Sequence, residues 1–462
     1  MDPSIIFWFA VVFSWIVFLW EQYLAWRQYR KYVDTEKLPE EVKEIMDEDS
    51  FHKSRLYKID KARFGFIMDT WDEMKTTTIL LFGLLPLLWS ISGATIQRYG
   101  YEHETLQSLV FLTIGSLISF VIELPTKLYY TFIIEERHGF NKETLGFFMK
   151  DRVKKLLLSL VLMLPIVSAI IWIIEKGGPY FFVYVWLFMS AVIFIMMTIY
   201  PEFIAPLFDK YSPLPDGELR TKIEALASRL NFPLKKLLVV EGSKRSAHSN
   251  AYLYGFWKNK RIVLFDTLLE EYTPVDRSDK EEEEKTKEEK AKGDMPSESL
   301  EDERKEKRRT LGMKNDEVVA VLGHELGHWQ LYHTLRNLLI GEVDLLFTLG
   351  VFALLYRNRD LYVAFGFHNE QPILIGLLII FQFIFAPYSE LQSFFITWLT
   401  RRMEFAADKF SADLGYATLM RSALIKLGKD NLSFPVDDWL FSFWHHSHPP
   451  IPERVAVLKK YD

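Results

Sequence analysis

The chain has 462 residues, no cysteine and a formal net charge of −6 at pH 7. Hydrophobic residues make up 49% of it and aromatic residues 15%, which excludes both a disordered chain and, given the long apolar runs described next, a purely soluble protein. The lack of cysteine excludes disulfides, thiolate metal ligands and a cysteine nucleophile, and the mild charge gives no reason to expect nucleic acid as a partner.

Long apolar stretches alternate with charged ones, as in a multi-pass membrane protein. A helix needs about 20 residues to cross the ~30 Å hydrocarbon core of a bilayer. Stretches of about that length without Asp, Glu, Lys or Arg cover 3–20, 76–97, 105–122, 156–174, 177–201 and 371–389. The first has no basic residues before it and no small-residue cleavage site, so we interpret it as a retained span and not as a signal peptide.

The stretches predict seven membrane spans. Span one lies within 1–26. Span six is weaker than the others, because Glu342 and Asp344 interrupt its apolar run. Spans two to seven are predicted at 76–97, 105–122, 156–174, 180–200, 337–356 and 372–400.

Basic residues predict the orientation of the spans. Clusters at 27–31, 150–155 and 401–402 fall on the same side of the membrane in a seven-span count. Because cytosolic loops carry an excess of Lys and Arg, the N-terminus is expected in the lumen and the C-terminus in the cytosol. Lys459 and Lys460 are the fourth and third residues from the end of the sequence, the positions of a dilysine signal for retrieval to the endoplasmic reticulum. The alternative is an ordinary basic helix end.

The spans divide the chain into four parts. These are 1–200, with spans one to five and cytosolic loops 27–75 and 127–155; a cytosolic part, 201–335; spans six and seven, 336–400; and a cytosolic C-terminal part, 401–462. The second part contains 14 acidic and 11 basic residues between positions 276 and 309. Such a mixture cannot bury a core, so 276–310 is predicted to be a disordered insertion.

The segments on either side of this insertion have regular patterns. Residues 217–230 have helical spacing, and 237–240 and 261–265 are typical of short strands. Between the strands, 249–255 alternates aromatic and other residues around Asn250 and Ala251. This pattern favours an edge strand, and a plain hairpin is the alternative.

A motif in 315–329 carries the chemistry. A capping residue precedes an apolar-periodic run, so the segment is predicted to be a helix. His324 and His328 are four residues apart and therefore lie on one face, where both imidazoles can reach one metal ion. Glu325 follows His324 directly and can reach a water molecule bound to that metal ion.

A catalytic zinc site needs a third protein ligand and an open position. Glu404 is the preferred candidate, because Asp408 lies one turn beyond it and can orient a ligating imidazole. His333 is the nearest rival and is interpreted as a surface residue or a support for a ligand. Glu342, Asp344 and Glu390 are weaker rivals, since acids inside a span more often line a polar cavity or pair with one another.

A second group of polar residues lies near the end of the chain, around 444–454. Peptide hydrolysis creates an oxyanion, which a donor near the metal would stabilise. We assign that role to His448, with Arg454 as its support. His445 and His446 are interpreted as parts of a polar loop.

Together, these residues resemble the integral-membrane zinc CAAX prenyl proteases of type 1. The resemblance covers essentially the whole chain and includes 242–252, 261–269, 322–329, 404–408 and 448–454, with 135–141 and 205–209 also similar. It implies an all-α membrane protein whose seven helices form a barrel around a water-filled chamber. It also implies a cytosolic zinc-metalloprotease domain with a small β-element and one Zn²⁺.

The resemblance further implies a substrate and a location. The expected substrates are farnesylated CAAX-terminated proteins, prelamin-A-like or a-factor-like, which lose their last three residues and in some cases are cut a second time upstream. Asn250, Ala251 and Trp329 are expected to contact the substrate. The expected location is the endoplasmic reticulum membrane and the inner nuclear membrane.

Two other functions stay open from the residues. A membrane quality-control metalloprotease of broad specificity would use the same site. A transporter or channel with a structural zinc would account for Glu342 and Asp344, but it would not need an acid at Glu325.

Overall fold

The structure is a computed structural model that describes residues 2–255, 259–270, 272 and 312–461. The predicted insertion, 276–310, lies outside the described residues. The chain divides into two compact units. Unit one consists of 1–208, 328–406 and 434–454, and unit two of 209–327, 407–433 and 455–462.

The first half of unit one consists of long, apolar helices. They are α1 Pro3–Asp34, α2 Glu48–Leu81, α3 Leu84–Gln97, α4 Glu104–Tyr129, α5 Leu145–Lys176 and α6 Phe181–Ile199. Their starts follow capping chemistry, since the side chains of Asp47 and Thr144 accept hydrogen bonds from backbone amides of α2 and α5. Bulky side chains such as Trp89, Ile171 and Phe352 are almost completely buried in the core of this unit.

Unit two contains a four-stranded sheet in the order β1-β2-β4-β3. Its elements are β1 Tyr211–Pro213, α7 Glu218–Arg229, β2 Leu234–Val240, β3 Ala251–Tyr254 and β4 Lys260–Phe265. Strands β2 and β4 are parallel, whereas β3 is antiparallel to β4 and lies at the edge. The segment 249–255 is therefore both an edge strand and one arm of a hairpin. The sequence does not predict β1, because three residues are too few to show an alternating pattern.

The remaining helices follow the undescribed residues. They are α8 Asn315–Gln330, α9 His333–Leu355, α10 Arg359–Ala364, α11 Ile373–Ile379, α12 Ala386–Ser411, α13 Ala417–Asp430, α14 Trp439–His445 and α15 Ile451–Leu458. Both α8 and α12 are continuous helices that contribute residues to each of the two units.

Five helical segments in the described chain are long and apolar enough to cross a membrane. They are Pro3–Asp34, Glu104–Glu135, Leu145–Lys176, Gly178–Leu207 and His333–Leu355. These segments contain the predicted spans one, three, four and five and nearly all of span six. Most extend past the predicted bounds, because a charged residue ends an apolar run without ending a helix.

The predictions of spans two and seven as single helices are wrong. At span two, α2 and α3 meet at an angle of 66°, and at span seven the segments Ile373–Ile384 and Ala386–Asp430 meet at 60°. The first bend lies at Gly83, whose φ of +60° is a left-handed conformation that favours glycine. Pro387 follows the second bend and cannot donate the amide hydrogen bond that a continuous helix needs there. If each bent pair counts as one span, the total is seven.

The two acids of span six have hydroxyl partners on neighbouring helices. The Ser190 hydroxyl of α6 donates to Glu342, and the Tyr388 hydroxyl of α12 donates to Asp344 over 2.6 Å. A carboxyl group inside a membrane span requires such polar partners. In the structure, these acids are therefore paired across helices and not with each other.

Helices α8 and α12 approach closely where two glycines of α8 face α12. A Cβ added to Gly327 would lie 3.1 Å from the Cβ of Phe410 and 3.3 Å from the Cα of Ala407. One turn earlier, a Cβ added to Gly323 would lie 3.0 Å from the Ser411 hydroxyl oxygen. That hydroxyl donates to the backbone oxygen of Ala320 over 2.9 Å, which ties the two helices together.

The packing predicts that Gly327→Ala destabilises the protein. The added methyl group meets Phe410 and the backbone of α12 at distances that force the helices apart, at a cost of roughly 1–3 kcal/mol. We expect a lower melting temperature for the purified protein in detergent. Gly341→Ala is the matched control, since a Cβ there has no atom within 4 Å. Equal melting temperatures for the two variants would contradict the packing argument.

Candidate metal centre

Two pairs of side chains connect α8 to α12. His324 Nδ1 lies 2.8 Å from Asp408 Oδ1, and His328 Nε2 lies 3.2 Å from Glu404 Oε1. The two histidines are one helical turn apart, and so are the two acids. Paired helices thus place two imidazoles and two carboxylates in one short row.

Three of these side chains could hold a metal ion. The candidate ligand atoms of His324, His328 and Glu404 all lie within 4.8 Å of one another. Two imidazoles and one carboxylate are a donor set that suits a divalent transition metal and leaves a coordination position open. The rivals Glu342 and Asp344 contact hydroxyl groups instead and do not belong to this group.

The Nδ1 atoms of both imidazoles contact neighbouring side chains. A hydrogen bond from His324 Nδ1 to Asp408 fixes the tautomer in which Nε2 of His324 can coordinate a metal ion. His328 Nδ1 lies 2.8 Å from Nδ1 of His333, which leaves its Nε2 on the side of Glu404. His333 is only 4% exposed, so the alternative of a surface residue is wrong and it supports a candidate ligand instead.

The acids at this centre are deeply buried. Glu404 is 2% exposed and Asp408 is completely buried. A buried carboxylate is costly unless cations or hydrogen-bond donors compensate for its lost hydration. Around Glu404 that compensation includes the imidazole of His328 and two further groups from the C-terminal segment.

His448 and Arg454 both reach Glu404. Nδ1 of His448 lies 2.9 Å and Nη1 of Arg454 lies 3.5 Å from Glu404 Oε2. The His448 side chain is 70% exposed, whereas Arg454 is buried. The structure thus places both predicted residues at the centre, with His448 on its accessible side.

Arg401 holds the segment that carries His448, a role that the sequence does not reveal. Its guanidinium donates to the backbone oxygens of Ser442 and His446 and contacts Glu453 at 2.8 Å. From the sequence, Arg401 is only part of a basic cluster beside a span. Its position three residues before Glu404 on the same helix is the one signal that could have identified it.

The interpretation of His445 and His446 as a polar loop is only partly right. His445 ends the short helix α14, and its Nε2 lies 3.0 Å from Glu21. Burial, together with the nearby cations of Lys58 and Arg401, lowers the pKa of His446 to about 4. This imidazole is therefore neutral at physiological pH.

The other predicted site residues lie on α8 and at the start of β3. Glu325 and Trp329 are half-buried on α8, each next to one of the two histidines. Asn250 is exposed immediately before the edge strand β3, and its backbone oxygen accepts a hydrogen bond from the Phe265 amide over 3.0 Å. Ala251 is buried and pairs with Leu264 of β4. Contact of these residues with a substrate stays a prediction.

Known proteins match the chain along its full length. Residues 28–210 match a family described as CAAX prenyl protease N-terminal, five membrane helices, and residues 213–462 match peptidase family M48. The CAAX prenyl protease 1 homolog of Mus musculus is 53% identical, with 98% of this chain and 95% of that protein covered. The homolog of Caenorhabditis elegans is 50% identical, with 100% and 99% covered.

A solved structure confirms the fold. The crystal structure of S. mikatae Ste24p matches with a TM-score of 0.85 and 32% sequence identity, and the match covers 99% of each chain. The metalloprotease motif, the membrane helices and the small sheet all fall within regions that match. The chain therefore belongs to peptidase family M48, among the integral-membrane CAAX prenyl proteases of type 1.

Proposed function

We propose that this protein is a zinc-dependent endoprotease that removes the C-terminal tripeptide of farnesylated CAAX proteins and makes a second cut upstream in some of them. The observation that carries the proposal is the group of His324, His328 and Glu404 on two paired helices of a membrane protein. The names of its relatives supply the substrate class.

One zinc ion held by these three residues would polarise the scissile carbonyl and make a water molecule more acidic. Glu325 then takes the proton of the attacking water and returns it to the leaving amine, a role typically worth about 10²–10⁴-fold in rate. His448 donates a hydrogen bond to the oxyanion from its exposed position. Arg454 positions this imidazole through the carboxylate that both groups contact.

Two further residues orient the ligands. Asp408 accepts the hydrogen bond of His324 Nδ1, and His333 contacts His328 Nδ1, so each imidazole presents Nε2 toward the centre. Support of this kind raises ligand basicity and fixes the tautomer. Asp408 and His333 are thus positioning residues.

The edge strand β3 gives the substrate a backbone to pair with. One side of β3 pairs with β4, and β3 is the last strand in the sheet order of the described chain, so its other side faces away from the sheet. An extended peptide can add to such an edge through main-chain hydrogen bonds. We assign Asn250 and Ala251 to this contact and Trp329 to the neighbouring part of the substrate.

We also propose that the protein resides in the endoplasmic reticulum membrane and inner nuclear membrane, with 401–462 in the cytosol and the N-terminus in the lumen. The basic clusters at 27–31, 150–155 and 401–402 support this orientation. Cytosolic prelamin-A-like or a-factor-like proteins would then reach the metal centre directly.

The substrate proposal predicts a strong dependence on the prenyl group. Purified protein should release the tripeptide from a farnesylated CAAX peptide and cut the same peptide without the farnesyl group at least about tenfold more slowly at equal concentration. A zinc chelator should abolish cleavage, and added Zn²⁺ should restore it. Equal rates on both peptides would favour a quality-control protease of broad specificity.

The site assignments predict different failures for different variants. His324→Ala, His328→Ala and Glu404→Ala should lose both bound zinc and cleavage, since each removes a ligand. Glu325→Gln should keep zinc and still bind the farnesylated peptide, but lose at least about 100-fold in turnover. Zinc content by elemental analysis, measured beside turnover, separates the two groups.

His448→Ala should keep zinc and slow turnover without abolishing it. His445→Ala is its matched control, because that imidazole contacts Glu21 and not Glu404. Full zinc occupancy in Glu404→Ala would show that another residue is the third ligand. Normal turnover in Glu325→Gln would show that Glu325 is not the general base.

The orientation predicts which sites can be glycosylated. An acceptor sequence appended after residue 462 on a flexible spacer should stay unmodified, because glycosylation occurs in the lumen. The same acceptor and spacer inserted into the loop at 98–103 should be modified. Modification of the C-terminal acceptor would reverse the proposed topology.

A further inference from the structure

A groove of about 500 Å³ runs between α9 and α12 within unit one. Its wall is aliphatic along Leu339, Ile340 and Leu399. Arg336 and Arg402 also line it. The groove therefore combines an apolar wall with two guanidinium groups, a combination that the peptidase mechanism does not use.

Neither arginine has a carboxylate within salt-bridge distance among the described residues. Arg402 lies over the ring of Trp398, with 4.1 Å between its Cζ and the ring centroid. A guanidinium that stacks on an aromatic face still has N–H groups at its edge that can donate hydrogen bonds. Both side chains are exposed. Two positive groups that line one groove and have no acidic partner in the described chain make this groove attractive to an anion.

The groove lies beside the ends of two predicted spans. Its α9 side belongs to the first turns of a membrane helix, and its α12 side lies at the predicted end of span seven, around residue 400. Trp398 beside Arg402 is typical of the interface between a membrane and water. The proposed spans would put both arginines at the level of the lipid headgroups, because Arg336 lies in the first turn of α9 and Arg402 follows the end of predicted span seven.

The groove does not open toward the metal through α12. At 100° per residue, Glu404 and Asp408 lie roughly 120–180° around this helix from Leu399 and Arg402. On the α9 side, His333 lines the groove but is buried and contacts His328. Leu399 and Arg402 therefore face away from the side of α12 that carries the candidate ligand Glu404.

We propose that this groove binds one anionic phospholipid, with the phosphate between Arg336 and Arg402 and an acyl chain along the aliphatic wall. The negative charge is needed to match two guanidinium groups, and the acyl chain is needed to cover the apolar residues. Given the proposed topology, the lipid comes from the cytosolic leaflet, whose anionic lipids include phosphatidylserine and phosphatidylinositol.

Native mass spectrometry of the full-length protein in detergent tests the proposal. Phosphatidylserine should bind more tightly than phosphatidylcholine with the same acyl chains. The double variant Arg336→Gln/Arg402→Gln should bind phosphatidylserine about 30-fold more weakly, since each basic residue near a membrane surface contributes a factor of about five. Arg357→Gln is the matched control and should bind normally, because Arg357 also lies over an aromatic ring but follows the other end of α9.

Three results would overturn the proposal. One is an unchanged preference for phosphatidylserine in the double variant. Another is equal binding of glycerophosphoserine, which has the headgroup but no acyl chains, because the groove would then hold a soluble anion. The third is a loss of lipid binding when a CAAX peptide with a free carboxylate is added but not when its amidated form is added, because the groove would then hold the substrate's C-terminus.

Discussion

The close approach of α8 and α12 is the constraint on which the metal centre depends. Side chains as short as Asp and Glu meet imidazoles at 2.8 and 3.2 Å only when the helix backbones lie near each other. Gly323 and Gly327 provide that proximity, because a Cβ at either position would meet atoms of α12 at 3.0–3.3 Å. The two glycines within the motif therefore serve packing, while the residues beside them serve chemistry.

The burial of two carboxylates explains why the surrounding cations and donors belong to one system. Glu404 and Asp408 lose nearly all contact with solvent, which costs free energy unless positive or donating groups replace water. His324, His328 and Arg454 provide part of that replacement, and a divalent ion would complete it. The same interactions thus stabilise the helix pair and prepare a metal site.

The segment that carries His448 is held to the first helix of unit one as well as to α12. Arg27 of α1 forms a two-pronged ion pair with Asp438, with both N–O distances 2.9 Å. Burial alone would raise the pKa of Asp438. Hydrogen bonds from the Arg27 guanidinium and from two backbone amides nevertheless hold this pKa below its ordinary value. Together with Arg401, these contacts position an otherwise short and exposed part of the chain beside Glu404.

The sequence by itself determined the local features of this protein. Apolar runs of fixed length gave the membrane helices, and the four-residue spacing of His324 and His328 placed both on one helical face, because these patterns depend only on helix geometry. Glu404 and Asp408 were identified for the same reason, as a second pair one turn apart.

Only the tertiary structure decided the features that depend on neighbours distant in the chain. The bend at Gly83 could not be predicted from the apolar run that contains it, because straight and bent helices in a membrane have the same apolar composition. The contact between His328 and His333, and the support that Arg401 gives to the C-terminal segment, arise from packing between helices. Spacing along a sequence determines which side chains share a face, but the partners of that face are determined by which backbones can approach.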